Sequence, residues 1–323
     1  MNDRYNTIHS ALSGKSLGGS AGASSRAAPG PAHFGRRIIL SVGPLEEWRG
    51  TDPGKGLEIV SDGTLNGLKV TCSLHKTIMG QPGASTISIW NLARDTREAI
   101  REGLTKVTVR AGWANEQPLI FQGSVSTVHS SRSGPDIVTR IGALPGYGAL
   151  SQATCSQSFG PGMEIAEVVR NVASRLPGVN VDPAFISGVA GKLAGKGWSF
   201  AGSVRNALNQ LASEFGFSWS IQDGIFQAVG DKAVLPGSMV ELNGGRGGLI
   251  SVSPLQGGQG EKQNGVAVRA IFIPGVIPGG SVRVKSEITP RLNGEYRVAK
   301  ASYSLDTFSD DWSMDLECYT RLD

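Results

Sequence analysis

The sequence predicts a mainly β protein, α+β overall, on two observations. Glycine makes up 45 of the 323 residues, about twice its usual share of about 7%. Charged residues make up only 18%, against about 25% in an average protein. Because glycine disfavours helices by about 1 kcal/mol per site, this composition favours strands and turns. Many short segments also alternate apolar and polar residues, as in Thr86–Ile89 and Lys106–Val109. That alternation is typical of a strand with one buried face, whereas no period of three or seven persists to indicate collagen or a coiled coil.

Residues 1–35 form a separate low-complexity arm. Eighteen of these 35 residues are Ser, Gly or Ala, and the segment has no apolar periodicity. Such a composition buries too little apolar surface to offset the entropy of ordering. We therefore expect the arm to become ordered only against neighbours in an assembly.

Residues 36–147 are predicted to form a first β-barrel domain. One short helix near Arg94–Glu102, capped by Asn91 or Asp95, interrupts the strands. The predicted strands are Arg36–Val42, Leu57–Val60, Leu68–Leu74, Ser85–Asn91, Lys106–Trp113, Leu119–Val128 and Asp136–Ala143.

Residues 148–235 are predicted to form a small α+β domain after a Gly/Pro-rich boundary at 142–162. The segment Met163–Leu176 carries an apolar stripe at helical spacing. A second helix is expected between Ser203 as its cap and Gly216 just past its end. The dipeptide Asp223-Gly224 then separates two alternating runs, which predicts a hairpin. We expect the two helix stripes, centred on Val169 and Leu208, to pack on this hairpin at Trp219 and Ile225.

Residues 236–323 return to strands and resemble the first β domain. A shift of 175 residues places Val107 on Val282, Phe121 on Tyr296, Val128 on Tyr303, Ile137 on Trp312 and Ile141 on Leu316 without a gap. Farther upstream, 87–89 matches 266–268 after a four-residue adjustment. The pattern predicts two similar β barrels flanking the α+β domain. The predicted strands are Leu249–Val252, Gly265–Phe272, Ser281–Ser286, Glu295–Tyr303 and Asp311–Thr320.

Charge, cysteine spacing and hydropathy argue against a nucleic-acid-binding protein, a C-x-x-C redox or zinc protein and a membrane protein. The net charge is only +4 and no segment carries a run of like charges, which favours a solvated surface over a nucleic-acid site. Cys72, Cys155 and Cys318 lie far apart and form no C-x-x-C, so we expect buried, reduced thiols. No apolar stretch approaches the ~20 residues that span a bilayer, and no signal-peptide core is present. These features predict a soluble chain made in a cytoplasm, with no membrane insertion.

No sequence motif typical of a catalytic or metal site stands in a suitable structural context. No two of the four histidines have metal-ligand spacing. The G-x-S-x-G at 14–18 lies in the arm, without the strand and helix that a nucleophile elbow needs. Glu164 and Glu167 stand in the first turn of a predicted helix, where they complement its dipole. The scattered tryptophans are better explained by core packing. We therefore expect no catalytic, cofactor-binding or metal-binding residue, and no cofactor.

Three parts of the sequence, in order, resemble phage tail baseplate hub proteins. The resemblance covers residues 36–323 and departs from the family at Tyr303, where histidine is frequent, and at Gly280-Ser281, where an acidic residue is usual. We expect these departures to be surface or interface details. The matching segments are Leu68–Thr77 with Pro82 and Ser85–Leu92; Ser203–Trp219 with Asp223-Gly224; and Pro274–Val284 with Gly294–Val298, Asp306-Thr307 and Asp311-Trp312.

The resemblance implies a structural virion protein without catalytic residues. Hubs of this family are trimers in which each subunit contributes two tail-tube-like β barrels, so that six barrels surround a DNA channel. The implied partners are two further copies, the tail tube protein or tube terminator above, the central spike below, and baseplate wedge and tape measure proteins. DNA is expected to pass through without specific binding. The competing readings are a tail-associated peptidoglycan-degrading enzyme and a small ligand-binding β protein that acts as a monomer.

The duplicated strands also predict which side chains face the barrel core and which face outward, toward the DNA channel or a subunit interface. In an alternating strand, one set of residues faces the barrel core and the next set faces outward. The expected inward residues are Val107, Val109, Val282 and Val284, and the expected outward residues are Thr108, Arg110, Arg283 and Lys285.

Overall fold

The computed structural model describes residues 35–44, 56–64, 67–78, 80, 82–100, 105–113, 116–237, 239–245, 247–255 and 265–320. The predicted N-terminal arm, apart from Gly35, lies outside the described residues. The described chain is mostly strand, and most strands belong to one antiparallel sheet. The predicted fold class is therefore confirmed.

The first β segment contains the seven predicted strands and the one predicted helix. The helix begins after Ala93 rather than at either predicted cap. Asn91 instead bridges to the start of the last strand: its Oδ1 accepts from the Ile137 N–H at 3.0 Å, and its Nδ2 donates to Asp136 Oδ1 at 2.8 Å. The elements are β1 (Arg37–Pro44), β2 (Leu57–Ser61), β3 (Val70–Thr77), β4 (Ser85–Trp90), α1 (Arg94–Ala99), β5 (Thr105–Gly112), β6 (Leu119–Ser133) and β7 (Asp136–Leu144).

The middle segment, residues 146–235, has both predicted helices and the predicted hairpin. Ser203 Oγ accepts from the Asn206 N–H at 3.3 Å, and Gly216 ends the helix at φ 66°. Asp223 and Gly224 both adopt positive φ, as a tight hairpin turn requires. The elements are α2 (Tyr147–Gln152), β8 (Thr154–Phe159), α3 (Ile165–Ala173), β9 (Ile186–Ser187), β10 (Trp198–Ser203), α4 (Val204–Phe215), β11 (Phe217–Gln222) and β12 (Ile225–Gly230).

The second β segment contains the five predicted strands and one more. The additional strand, β13, is only four residues long, and it pairs in parallel with β16. The elements are β13 (Val240–Asn243), β14 (Leu249–Pro254), β15 (Gly265–Ile271), β16 (Ser281–Lys285), β17 (Gly294–Asp306) and β18 (Trp312–Thr320).

Thirteen strands from the two β segments form one continuous sheet. Its order is β14-β15-β18-β17-β3-β4-β7-β6-β5-β1-β2, and β16 with β13 branches from β17. One edge of β17 is shared: its first part, up to Arg297, pairs with β16, and its last part, from Lys300, pairs with β3. The two β segments are thus hydrogen-bonded to each other through β17 and β3.

The strands β5–β6–β7 and β16–β17–β18, here called the first and second meanders, repeat the same antiparallel pattern. Both contain an irregularity at the same place, opposite Gly142 and Ala143 in the first meander and opposite Glu317 and Cys318 in the second. A shared bulge is a specific feature of strand pairing. The sequence-level duplication is therefore a structural one.

The register corrects part of the predicted alignment. Val107 lies opposite Gly123, and Val282 lies opposite Tyr296, so the shift is 175 for β5 onto β16 but 173 for β6 onto β17. Placing Phe121 on Tyr296 and Val128 on Tyr303 was therefore wrong by two residues. The upstream match of 87–89 with 266–268 is also wrong by two residues. Ile87 lies opposite Ile141, and Val268 lies opposite Leu316, the equivalent of Ile141, so Ile87 corresponds to Val268. A slip of two keeps every side chain on its own face, so an apolar pattern cannot detect it.

The described residues have two hydrophobic clusters. One unites the inward faces of both β segments, and the other lies within the middle segment. The middle cluster includes Val169, Leu208 and Trp219, as predicted, but Phe226 rather than the half-buried Ile225 completes it. The tryptophans Trp198, Trp219 and Trp312 are all buried, which confirms their packing role.

The three cysteines are free and buried, as predicted. Burial raises the pKa of the Cys72 thiol, 3% exposed, and of the Cys318 thiol, 0% exposed, to about 12 in each case. Because the thiolate is the reactive form, we expect no reaction of these two thiols with Ellman's reagent at pH 8 in the native protein, and reaction of all three in denaturant. Rapid labelling of either thiol without denaturant would contradict this packing.

Candidate assembly surfaces

The paired strands of the two meanders present one apolar and one polar face. Val107, Val109, Val282 and Val284 are fully buried in the sheet cluster, as predicted. Arg110 and Lys285 are exposed and Arg283 is half-buried, so these three face outward as expected.

Thr108 lies on the outward face, as predicted, but it is only 1% exposed. Its neighbours across the sheet are Ser41 on β1 and Gln122 on β6. The hairpin turn of the middle segment lies on this polar row, since a Cβ added to Gly224 would clash with the side-chain amide of Gln122. The outer face of the first meander is therefore partly covered by the chain's own middle segment, which leaves less of it for a partner or a channel.

The outer face of the second meander carries charges of both signs in pairs. Arg283 Nε donates to Glu295 Oε1 at 3.2 Å, and Lys285 Nζ lies 2.9 Å from Glu241 Oε2. The hydrogen bond from Lys285 lowers the pKa of Glu241, and the hydrogen bond to Glu295 raises the pKa of Arg283. Arg283 and Lys285 thus each have a carboxylate partner within the chain.

A buried ion pair joins the middle segment to the sheet. Lys76 on β3 is an inward-facing residue whose side chain is 2% exposed, and its Nζ lies 2.6 Å from Asp223 Oδ2 in the hairpin turn. Gln222 Nε2 donates to the Thr77 carbonyl at 2.8 Å, and the Gly80 N–H donates to the Trp219 carbonyl at 2.7 Å. These polar contacts fix the hairpin against the strand that links the two β segments.

A second polar contact ties the end of the middle segment to β17. Arg297 Nη1 donates to the carbonyls of Gly230, Asp231 and Ala233 at 2.9, 2.9 and 3.3 Å. Burial lowers the pKa of Arg297, and nearby Asp231 opposes that shift. With the shift of 173, Arg297 is the equivalent of Ser124, which lies beside Gly148 of the middle segment: a Cβ added to Gly148 would stand 3.7 Å from Ser124 Oγ. The middle segment therefore contacts both meanders at equivalent positions.

Tyr303, one of the two departures from the family pattern, is not a surface residue. It is buried, its ring packs edge-on against Phe272 at 5.2 Å, and its hydroxyl donates to the Val276 carbonyl. Burial also raises the pKa of this phenol. The expectation of a surface or interface role is wrong here, because an inward position of β17 places the ring in the core.

Glu164 and Glu167, the two carboxylates considered as a catalytic pair, each form an exposed ion pair. Glu164 lies 3.4 Å from Lys192 and Glu167 lies 3.4 Å from Arg170, both at the start of α3. Within the described ranges, no three His, Cys, Asp or Glu side chains are grouped so that they could hold a metal ion. The helices of the described residues are all too short or too polar to cross a membrane.

The sequence reasoning did not single out Lys76, Arg297 or the role of Asp223 beyond its turn. One signal was available for Lys76. Side chains on alternate residues of a strand point to the same face, so Lys76 lies on the same buried face as Leu74 and Cys72. The strand pattern therefore places a charged residue on a buried face. A buried charge needs a partner, although the strand alone does not say which one.

Over residues 56–318 the sequence matches the family model of baseplate hub gp41. Because this match covers well over half of the chain, the protein belongs to that family, and it is a structural hub protein of a phage tail. The sequence matches none of the curated proteins.

Solved structures with similar folds are tail proteins and a secretion-system component. A tail protein from Neisseria meningitidis MC58 superposes with a TM-score of 0.57 at 12% identity, covering 88% of this chain and 96% of that one. The 43 kDa tail protein of prophage MuSo2 from Shewanella oneidensis gives 0.57 at 14% identity, with 88% and 98% covered. An E. coli type VI secretion component, described as similar to T4 tail proteins gp27 and gp5, gives 0.53 at 10%, with 79% and 76% covered. These likenesses show a shared fold.

Proposed function

We propose that the protein is a trimeric, non-enzymatic hub that joins the hexameric tail tube to the trimeric central spike and forms part of the DNA channel. The observation that carries this proposal is the repeated meander, in which β5–β6–β7 and β16–β17–β18 share strand order and bulge position. Two equivalent units in each chain give six units in a trimer. Three copies can therefore present a sixfold face to the tube while retaining threefold symmetry toward the spike.

The domain organisation belongs to the same proposal. In it, residues 36–147 and 236–323 are the two tube-like barrels, and 148–235 is an accessory domain that braces them. The contacts of Lys76 with Asp223 and of Arg297 with the chain near Asp231 support a bracing role. The tube protein or tube terminator lies above the ring and the spike below it, with wedge and tape measure proteins as further neighbours.

The oligomeric state tests the proposal directly. We expect light scattering of the purified protein, alone or with its spike, to give a mass of about 101 kDa, three times the 33.8 kDa of one chain. The muramidase activity of the same sample should stay at background. A monomer both alone and in isolated baseplates would contradict the hub.

The conduit role predicts weak DNA binding. Arg283 and Lys285 already pair with Glu295 and Glu241, so few cations on this face are available to neutralise phosphates. We expect duplex DNA to bind with a Kd weaker than about 100 µM at 150 mM salt, measured by fluorescence anisotropy. Sequence-selective binding that resists salt would instead indicate a recognition function.

A further inference from the structure

The connection between β16 and β17, here called the Ile288 loop (286–293), holds one apolar side chain almost wholly in water. Ile288 is 90% exposed, the highest value among the large apolar residues in the described part of the chain. At this exposure the isoleucine contributes little to the core of its own chain. Single exposed apolar residues are common, so the structure of the surrounding loop decides whether this one has a role.

The loop that carries this isoleucine is held in one conformation by its own hydrogen bonds. Asn293 Oδ1 accepts from the Ser286 N–H at 2.6 Å, and Ser286 Oγ accepts from the Thr289 N–H at 3.1 Å. The hydroxyl of the buried Tyr296 donates to the Leu292 carbonyl at 2.8 Å and ties the end of the loop to the sheet. A side chain on a loop that is already ordered binds a partner without the entropic cost of ordering that loop.

The first meander has no such projection at the equivalent place. Its β5–β6 connection ends in a tight turn, in which Trp113 and Glu116 exchange N–H to C=O hydrogen bonds at 3.2 and 2.9 Å. The shift of 175 that relates β5 to β16 places Ile288 on Trp113. The side chain of Trp113 packs against the sheet cluster, and its ring lies 5.8 Å from that of Trp312. The exposed isoleucine therefore occurs once in each chain, whereas the meander occurs twice.

We propose that the Ile288 loop inserts its isoleucine into an apolar pocket of a trimeric partner, which in the proposed hub is the central spike. This inference rests on the proposed function and names the part of the hub that holds the spike. Three chains present three such loops, and a trimer offers three equivalent pockets for them. A hexameric tube would have six equivalent sites, of which only three could be filled, so it fits this feature less well.

Two charged residues beside the isoleucine are available to such a partner. Glu287 and Arg291 are both exposed, and neither forms an ion pair with another described residue. By contrast, Lys285 at the end of β16 already pairs with Glu241. Protein interfaces commonly surround an apolar centre with a polar rim, in which charges act mainly on the rate of association. We therefore expect the pocket to be apolar at its centre and to carry charged groups of both signs at its border.

Replacing Ile288 by aspartate tests the anchor. The probe is the purified spike trimer, titrated onto the immobilised full-length hub in biolayer interferometry. We expect Ile288→Asp to weaken spike binding at least about thirtyfold, as for an anchor at the centre of an interface, and Ile288→Val to stay within about fivefold, the effect of one methylene. The melting temperature and the trimer mass should not change, because the side chain has few contacts within the chain.

The matched control is Phe308→Asp. Phe308 is also an exposed apolar residue, but it lies in the connection that follows β17, at the opposite end of that strand from the Ile288 loop. The same apolar-to-acidic change is thus made at a place that the proposal does not assign to the spike. We expect this variant to bind the spike with the Kd of the natural hub.

A charge variant tests the border of the pocket. The double variant Glu287→Gln/Arg291→Gln keeps the isoleucine and removes both charges. We expect slower association with the spike and a weaker dependence of that rate on salt, with the dissociation rate nearly unchanged. A rate of association that does not respond to these changes would contradict the charged border.

The outcomes separate this inference from the proposed function. An Ile288→Asp hub that binds the spike with the natural Kd overturns the assignment of the loop and leaves the hub intact. Loss of trimer formation or of tube binding, with spike binding unchanged, assigns the loop to another contact and also overturns the inference. A natural hub that binds no spike, either alone or in isolated baseplates, overturns the proposed function and this inference together.

Discussion

We expect the replacement of Asp223 by asparagine to lower the free energy of unfolding by about 3 kcal/mol, the low end of what removing one partner of a buried ion pair costs. Lys76 would keep its charge in a site where its side chain is 2% exposed. Asparagine is the matched substitution, because Asp223 has a φ of 53° and asparagine tolerates that conformation. Urea denaturation followed by tryptophan fluorescence measures the loss, since Trp219 lies at the same junction.

The reverse change and the double variant show whether the charge is the cause. Lys76→Met should cost less than Asp223→Asn, because Asp223 is 19% exposed and water can solvate its carboxylate once the lysine is gone. The double variant should recover part of the loss, since a methionine fills the same space without a charge. Additive losses in the double variant would show that the two groups do not interact in solution.

We expect the replacement of Leu208 by alanine to destabilise the protein by about 2–5 kcal/mol, the range for a large-to-small change at a fully buried position. Leu208 on α4 has no exposed surface and lies in the middle cluster with Val169 and Trp219. The substitution removes contacts and leaves a cavity between the two helices and the hairpin. Calorimetry or urea denaturation of the full chain measures the effect.

The control for this variant lies two residues farther along the same helix, on its opposite side. Gln210 is exposed, so Gln210→Ala tests helix propensity and expression without touching the cluster, and its effect should stay within about 0.5 kcal/mol. A loss below about 0.5 kcal/mol for Leu208→Ala would mean that the apolar stripe of α4 is not packed.

The elements predicted correctly from the sequence are those with local signals. Ser203 and Gly216 delimit α4, and Asp223-Gly224 sets the hairpin, because caps and tight turns depend on a few neighbouring residues. The missed elements lack such signals. The strand β8 reads Thr-Cys-Ser-Gln-Ser-Phe, almost without apolar side chains, and its pairing with distant β10 is what makes it a strand.

The assembly surfaces were harder to predict than the fold. Lys76 and Asp223 are 147 residues apart, and no local pattern links them. Thr108 is a second residue whose environment depends on a distant part of the chain. Its strand alternation correctly gave the face it lies on, but its burial depends on what the middle segment covers.

The sequence by itself determined the fold class, the order of the strands and the existence of the duplication, because apolar alternation and turn residues act over short distances. Tertiary structure alone decided the phase of that duplication and the route of the sheet from β17 to β3. The physical reason is that side-chain alternation has a period of two, so registers that differ by two residues bury the same faces. Only the bulges, the connection lengths and the contacts of the middle segment distinguish those registers, and these exist only when distant parts of the chain are brought together.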